Sequence, residues 1–161
     1  MHRGYKVPFS KMTIGTPMYA TDLKMIKLPN SDNPVGTLVE PVQPCDEEIS
    51  QKNLKVFEQE AVSGYETVWE DGKPQIGEPF NKGGVGWHYG YDMMLKGSYL
   101  WNDDPASPYY LWYLSYETPV TLQQKIDLVE ETGIAGIIMW ETSQDTEDYQ
   151  MINQIADNLL K

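Results

Sequence analysis

Residues 134–145 read IAGIIMWETSQD, and the first seven of them decide the fold. Ile134 to Trp140 is a continuous apolar run, bounded by Gly133 before it and by polar residues from Glu141 onward. It is too short for a typical helix and rich in β-branched residues, so it reads as a strand buried on both faces. The preceding stretch has the pattern of a helix. Thr118 or Thr121 can cap it, Pro119 is tolerated in its first turn, Leu122, Ile126 and Val129 line one face, and Gly133 ends it. Beyond the run, Asp145 caps a final helix with Tyr149, Ile152, Ile155, Ala156, Leu159 and Leu160 as its apolar stripe. Helix, buried strand, helix is the order of parallel α/β architecture, where helices cover a strand apolar on both sides.

Working outward, Lys11 to Tyr19 (KMTIGTPMY) reads as a second buried strand. Residues 29–44 (PNSDNPVGTLVEPVQP) are rich in Pro, Asn, Asp and Gly and predict an irregular excursion. Residues 46–62 predict a helix, with Ile49, Asn53, Val56, Phe57 and Glu60 at helical spacing and acids at its start. Asp71-Gly72 fits a hairpin turn, and an aromatic cluster runs from Trp87 to Tyr91. Ser98 to Trp101 and Tyr109 to Tyr116 are strand-like and predict a second hairpin across 102–108. The middle of the chain is therefore α+β.

The 161 residues suit about one to one and a half domains. They hold 24 acidic against 12 basic residues, a net charge of −12, with no Lys/Arg run to offset it. Such a surface repels phosphate backbones and anionic headgroups, which argues against nucleic acid and membrane-surface partners. Residues 1–20 lack the apolar core of a secretory leader, and no stretch approaches the roughly 18 apolar residues of a membrane span. As written, the chain is expected to stay where it is made, and its compartment is otherwise open. Eleven Tyr and five Trp favour stacking surfaces or a strand-rich core.

Few residues suggest chemistry. Cys45 is the one cysteine, so neither an internal disulfide nor a Cys-based metal cluster can form. His2 and His88 lie far apart with no ligand at metal-binding spacing, and read as structural or surface residues. Gly84-x-Gly86-x-x-x-Gly90 has the wrong spacing and context for a dinucleotide loop and reads as turn or hairpin. No nucleophile signature is present. Glu141 and Asp145 sit just past the apolar strand, where the functional face of a parallel α/β fold lies. Asp145 reads first as a helix cap, whereas Glu141 is either a solvent-exposed loop acid or a polar group facing a ligand. Trp140, at the carboxyl end of the strand, is either a core residue or a flat platform for a sugar ring.

In this context residues 134–145 resemble the last barrel strand of glycoside hydrolase family 18, the chitinases, with its pattern G-G-x-x-x-W-E/x-x-x-D. Residues 11–19 resemble the family's preceding strand, K-x-x-x-G-x-P-x-Y-G-R. Tyr99 to Lys125 resembles the stretch that ends x-Y-D-D-P-x-S-x-x-x-K and leads into the penultimate helix. The order and spacing of the three agree. The resemblance implies an α/β fold: a partial TIM (β/α)8 barrel, its last strands and helices from residues 1–19 and 119–161, with residues 20–118 as an inserted α+β chitinase insertion domain.

The activity it implies is substrate-assisted, retaining hydrolysis of β-1,4-linked N-acetylglucosamine polymers, outside the two-carboxylate scheme. Trp140 would floor the sugar subsite, Tyr19 would line or support the same pocket, and Glu141 matches a frequent acid near the cleft. Ala20 and Thr21 stand where the family has Gly-Arg, so the sugar contact of that Arg is missing. The family's D-x-x-D-x-D-x-E motif is not among the 161 residues. No catalytic residue is therefore expected in this chain, and the acid is expected from an upstream part or another polypeptide completing the barrel. The expected partner is chitin or a chitooligosaccharide, and no metal or cofactor is implied. Two alternatives stay open: a non-catalytic, lectin-like chitin-binding module, and an unrelated α+β interaction domain.

Overall fold

A computed structural model describes residues 7–41, 68–70, 73–75, 86–145 and 148–160. Among these, the order is a short 3-10 turn (Phe9–Lys11), β1 (Thr13–Pro17), β2 (Thr21–Lys24), β3 (Val68–Glu70), β4 (Lys73–Gln75), β5 (Trp87–Asp92), β6 (Gly97–Asn102) and β7 (Trp112–Tyr116). There follow α1 (Pro119–Thr132), β8 (Gly136–Trp140), a 3-10 turn (Thr142–Gln144) and α2 (Gln150–Leu159). The helix expected over 46–62, His2, Cys45 and Gly84 lie outside the described residues.

β1 and β8 pair in parallel, Thr13 opposite Gly136 through Pro17 opposite Trp140. The chain between them builds a four-stranded antiparallel sheet in the order β2-β7-β6-β5. β6 and β7 form the expected hairpin across the Asp-Pro-Ala-Ser-Pro segment, and β3 pairs with β4 across positions 71–72, where Asp-Gly predicts a turn. Gly90 lets β5 lie close to β6: a Cβ there would fall 2.3 Å from the Tyr99 ring. Residues 29–41 form no helix or strand, as their composition predicts, and Asn33 Oδ1 ties this excursion to the sheet by accepting from the Tyr99 hydroxyl at 3.2 Å.

α1 follows the sequence reading closely. Thr118 is its N-cap and exchanges bonds with Thr121: the Thr121 N–H donates to Thr118 Oγ1, and the Thr118 N–H donates to Thr121 Oγ1. This reciprocal box satisfies two first-turn donors at once. Gly133 closes the helix at φ 71°, its N–H on the Val129 carbonyl, a left-handed position that suits glycine. Leu122, Ile126 and Val129 are all buried, as their spacing predicts.

One core joins the β1–β8 pair, the four-stranded sheet and both helices. Met18, Leu100, Leu114, Tyr116, Leu122, Ile126, Met151 and Ile155 meet in it, with Ile137 and Met139 packed against them. Gln154 Nε2 links the helices, donating to the Pro119 carbonyl at 2.9 Å and to Gln123 Oε1 at 3.0 Å.

Four expectations are corrected. β8 is not buried on both faces: Ile137 and Met139 face the core, while Ile138 is 56% exposed and Trp140 69%. Likewise β1 alternates, with Thr16 and Met18 buried and Thr13, Gly15 and Tyr19 exposed. The physical reason is that α1 and α2 cover only one face of this two-stranded sheet. The stripe of α2 also turns, with Met151, Gln154 and Ile155 buried and Tyr149 and Leu160 exposed. The helix starts at Gln150, with Tyr149 at φ 56° as its cap, and not at Asp145.

Candidate functional site

Paired residues of parallel strands point to the same face, so the register sorts the side chains. Thr16 lies opposite Met139, on the face that packs into the core. Gly15 lies opposite Ile138 and Pro17 opposite Trp140, on the face the helices leave open. Tyr19 follows two residues after Pro17 and is also exposed. The carboxyl ends of β1 and β8 therefore bring Tyr19 and Trp140 onto neighbouring positions. A bond from the Met18 N–H to the Trp140 carbonyl, 2.8 Å, joins the two ends. Trp140 is not a core residue, and its core reading is set aside on its exposure.

Behind Trp140 the chain turns sharply. The Trp140–Glu141 peptide is cis. Glu141 is exposed; its carboxylate accepts from the Ser143 hydroxyl at 2.9 Å, and its carbonyl accepts from the Gln144 N–H at 3.0 Å. Asp145 is buried and faces away from solvent. Its two carboxylate oxygens accept from the N–H groups of Met151 at 3.3 Å and Ile152 at 2.9 Å. Asp145 thus satisfies first-turn donors of α2, the capping chemistry expected of it, from outside the helix.

The residue that sequence reasoning passed over is Glu117. It is 6% exposed and accepts from the hydroxyls of Thr16 and Thr121 and from the Lys125 ammonium. Lys125 donates further to the Gly15 carbonyl at 3.2 Å and to Thr16 Oγ1 at 3.3 Å. Glu117 precedes Thr118, the N-cap of α1, and stands 101 positions from Thr16, so no helical spacing singles it out.

Elsewhere, His88 Nε2 lies 3.0 Å from Asp103 Oδ1 and its ring stacks on Trp101, with centroids 4.5 Å apart. That is a surface pairing, in line with the structural reading of His88. No group of three or more His, Cys, Asp or Glu side chains among the described residues could hold a metal ion. No helix among them is long and apolar enough to cross a membrane.

Comparison with known proteins points the same way as the quoted motifs. The chain is similar to chitinase 63 of Streptomyces plicatus, 38% identical over 48 residues, covering 30% of this chain and 8% of that protein. It is similar to endochitinase 1 of Metarhizium robertsii, 32% identical over 96 residues, covering 53% of this chain and 23% of that one. The chain therefore spans less than a quarter of the curated relatives it matches. Among solved structures, a chitinase from Rhizomucor miehei superposes with a TM-score of 0.67 at 17% identity, over 94% of this chain and 39% of that one. A class V chitinase from Nicotiana tobaccum, solved in complex with NAG4, superposes with a TM-score of 0.62 at 14% identity, over 94% and 35%. At these identities the structural likeness shows the fold. The model of glycosyl hydrolases family 18 matches residues 2–145. That match takes in the β1 and β8 segments, the hairpin between them and Asp145, and it removes the unrelated interaction domain from consideration: the chain belongs to glycosyl hydrolase family 18.

Proposed function

We propose that these residues supply the sugar-binding floor and one cleft wall of a chitinase-like hydrolase acting on β-1,4-linked N-acetylglucosamine polymers. In this reading, residues 1–19 and 119–161 are the last strands and helices of a (β/α)8 barrel. Residues 20–118 are its α+β insertion. The parallel β1–β8 pair, with the antiparallel sheet in the chain between them, supports that division.

The observation that carries the proposal is the placement of Trp140. Its indole stands at the carboxyl end of a parallel strand, on the face turned away from both helices, and is 69% exposed. In a (β/α)8 barrel that face is the interior and that end is where active sites are built. A flat, wet indole there offers a surface on which the C–H face of a sugar can stack. Tyr19 lines the same end, and the exposed Glu141 carboxylate can accept from a sugar hydroxyl. Ala20 and Thr21 provide no cationic donor at the family's Arg position, so affinity rests more on stacking.

Hydrolysis in this reading is substrate-assisted and retaining. The proton donor lies outside these 161 residues, in an upstream part or a chain that completes the barrel. The floor is tested by titrating the chain and its Trp140→Ala variant with an N-acetylglucosamine tetrasaccharide and following tryptophan fluorescence. We expect about a tenfold loss of affinity, the size of one good stacking contact. Identical titrations would sink the platform reading.

A lectin-like, non-catalytic role is the second reading, favoured by the lack of a D-x-x-D-x-D-x-E motif in these residues. Mixing the chain with a polypeptide that carries the motif and assaying a fluorogenic chitobioside separates the two. Hydrolysis above either component alone supports the split enzyme, and its absence supports the binding module.

A further inference from the structure

β1 is five residues long, and β8 is its one ladder partner among the described residues. At Gly15 side-chain packing does nothing to place it. Gly15 has no side chain, and a Cβ built there would meet nothing within 4 Å. What grips the strand at this level is polar and comes from the β7–α1 junction. The Glu117 carboxylate takes the Thr16 hydroxyl, and the Lys125 ammonium reaches both that carboxylate and the Gly15 carbonyl. Thr121, from the first turn of α1, donates to the second carboxylate oxygen. Two residues beyond Thr16, the Met18 N–H holds the Trp140 carbonyl, and Tyr19 comes next.

A buried ion pair is a weak source of net stability, because desolvation offsets most of the attraction. Its stronger effect is directional: a carboxylate with three charged or hydroxyl donors fixes the groups that donate. Here those donors belong to a strand and a helix that meet beside the candidate floor.

We propose that Glu117, acting with Lys125, is a positioning residue for the sugar floor. It sets the height of β1 against α1 and, through the Met18–Trp140 bond, the placement of Tyr19 and Trp140. The sugar-binding part of this inference rests on the floor reading given above.

The test uses the full chain labelled with 5-fluorotryptophan, with the Trp140 fluorine resonance assigned by its loss in Trp140→Phe. Glu117→Gln, studied well below its thermal midpoint, is expected to shift that resonance and to weaken N-acetylglucosamine tetrasaccharide binding about tenfold. Ile126→Val, which loosens the α1 core without touching the clamp, should leave both unchanged at the same temperature. Glu117→Gln combined with Lys125→Met removes the uncompensated charge. It should recover the thermal midpoint while resonance and affinity stay altered, and it serves as the test variant if Glu117→Gln does not fold. The proposal is overturned if the resonance is unmoved in the folded variants, or if resonance and affinity recover together with the midpoint. Should Trp140→Ala leave affinity intact, the floor reading fails, while the fluorine shift still decides whether Glu117 positions Trp140.

Discussion

Met18 and Trp140 are joined by their backbones, not by their side chains. The Met18 N–H meets the Trp140 carbonyl at 2.8 Å, just past the last paired position of β1 and β8. The two side chains then part, Met18 into the core at 0% exposure and Trp140 into solvent. Their truncations should therefore differ in kind. Met18→Ala leaves a cavity and is expected to lower stability by about 2–5 kcal/mol. Trp140→Ala keeps the backbone bond and should stay within about 0.5 kcal/mol of the parent chain. Urea unfolding of both variants checks this, and a loss of several kcal/mol for Trp140→Ala would contradict the open-face geometry.

The cap of α1 is the next measurable feature. Thr118 is fully buried, accepts from the Thr121 N–H and shares a hydroxyl contact of 3.0 Å with Ser98 on β6. Thr118→Ala should cost about 1–2 kcal/mol, since it uncaps the helix and strips Ser98 of a partner. Thr118→Ser keeps the oxygen and should recover most of the loss in the same thermal melts.

Gly90 is required by a close approach, not by its backbone angle. Gly90→Ala would drive a methyl group into the Tyr99 ring, and overpacking of this kind lowers stability by about 1–3 kcal/mol or more. Because the clash is with one ring, Tyr99→Leu in the same chain should absorb part of it. A double-mutant cycle should show a coupling of about 1 kcal/mol. Simple additivity would mean that the strand pairing, and not the ring, is what fails.

Alkaline pH should weaken the four-stranded sheet. Burial pushes the phenols of Tyr99 and Tyr113 above their ordinary value; the Asp92 carboxylate adds to this at Tyr99, and the Tyr99 phenol, then Asp92, add to it at Tyr113. The folded state then holds these protons more tightly than the unfolded state. The stabilisation is complete below about pH 10 and is lost as pH rises through the raised folded values. Urea midpoints should be flat up to that point and fall above it, and Tyr113→Phe should shallow the fall. A midpoint that rises with pH there would contradict the sign.

Local chemistry was enough to place the face and stop of α1 and to narrow its cap to Thr118 or Thr121, because these signals act within a turn or so of the groups they serve; the structure settles on Thr118. The same holds for the β6–β7 hairpin, whose linker over 102–108 concentrates the turn-forming residues Asn, Asp, Pro and Ser. The family was legible too, through motifs at both ends of the chain whose order matches. Which face of β1 and β8 is covered was not legible. An apolar run such as Ile134 to Trp140 carries no period that distinguishes one buried face from two, and only the docking of α1 and α2 onto Ile137 and Met139 decides it. The same docking exposes Trp140 and sets Glu117 between Thr16 and Lys125, which are 109 positions apart in the chain. Those relations depend on contacts between distant residues, and no spacing in the sequence encodes them.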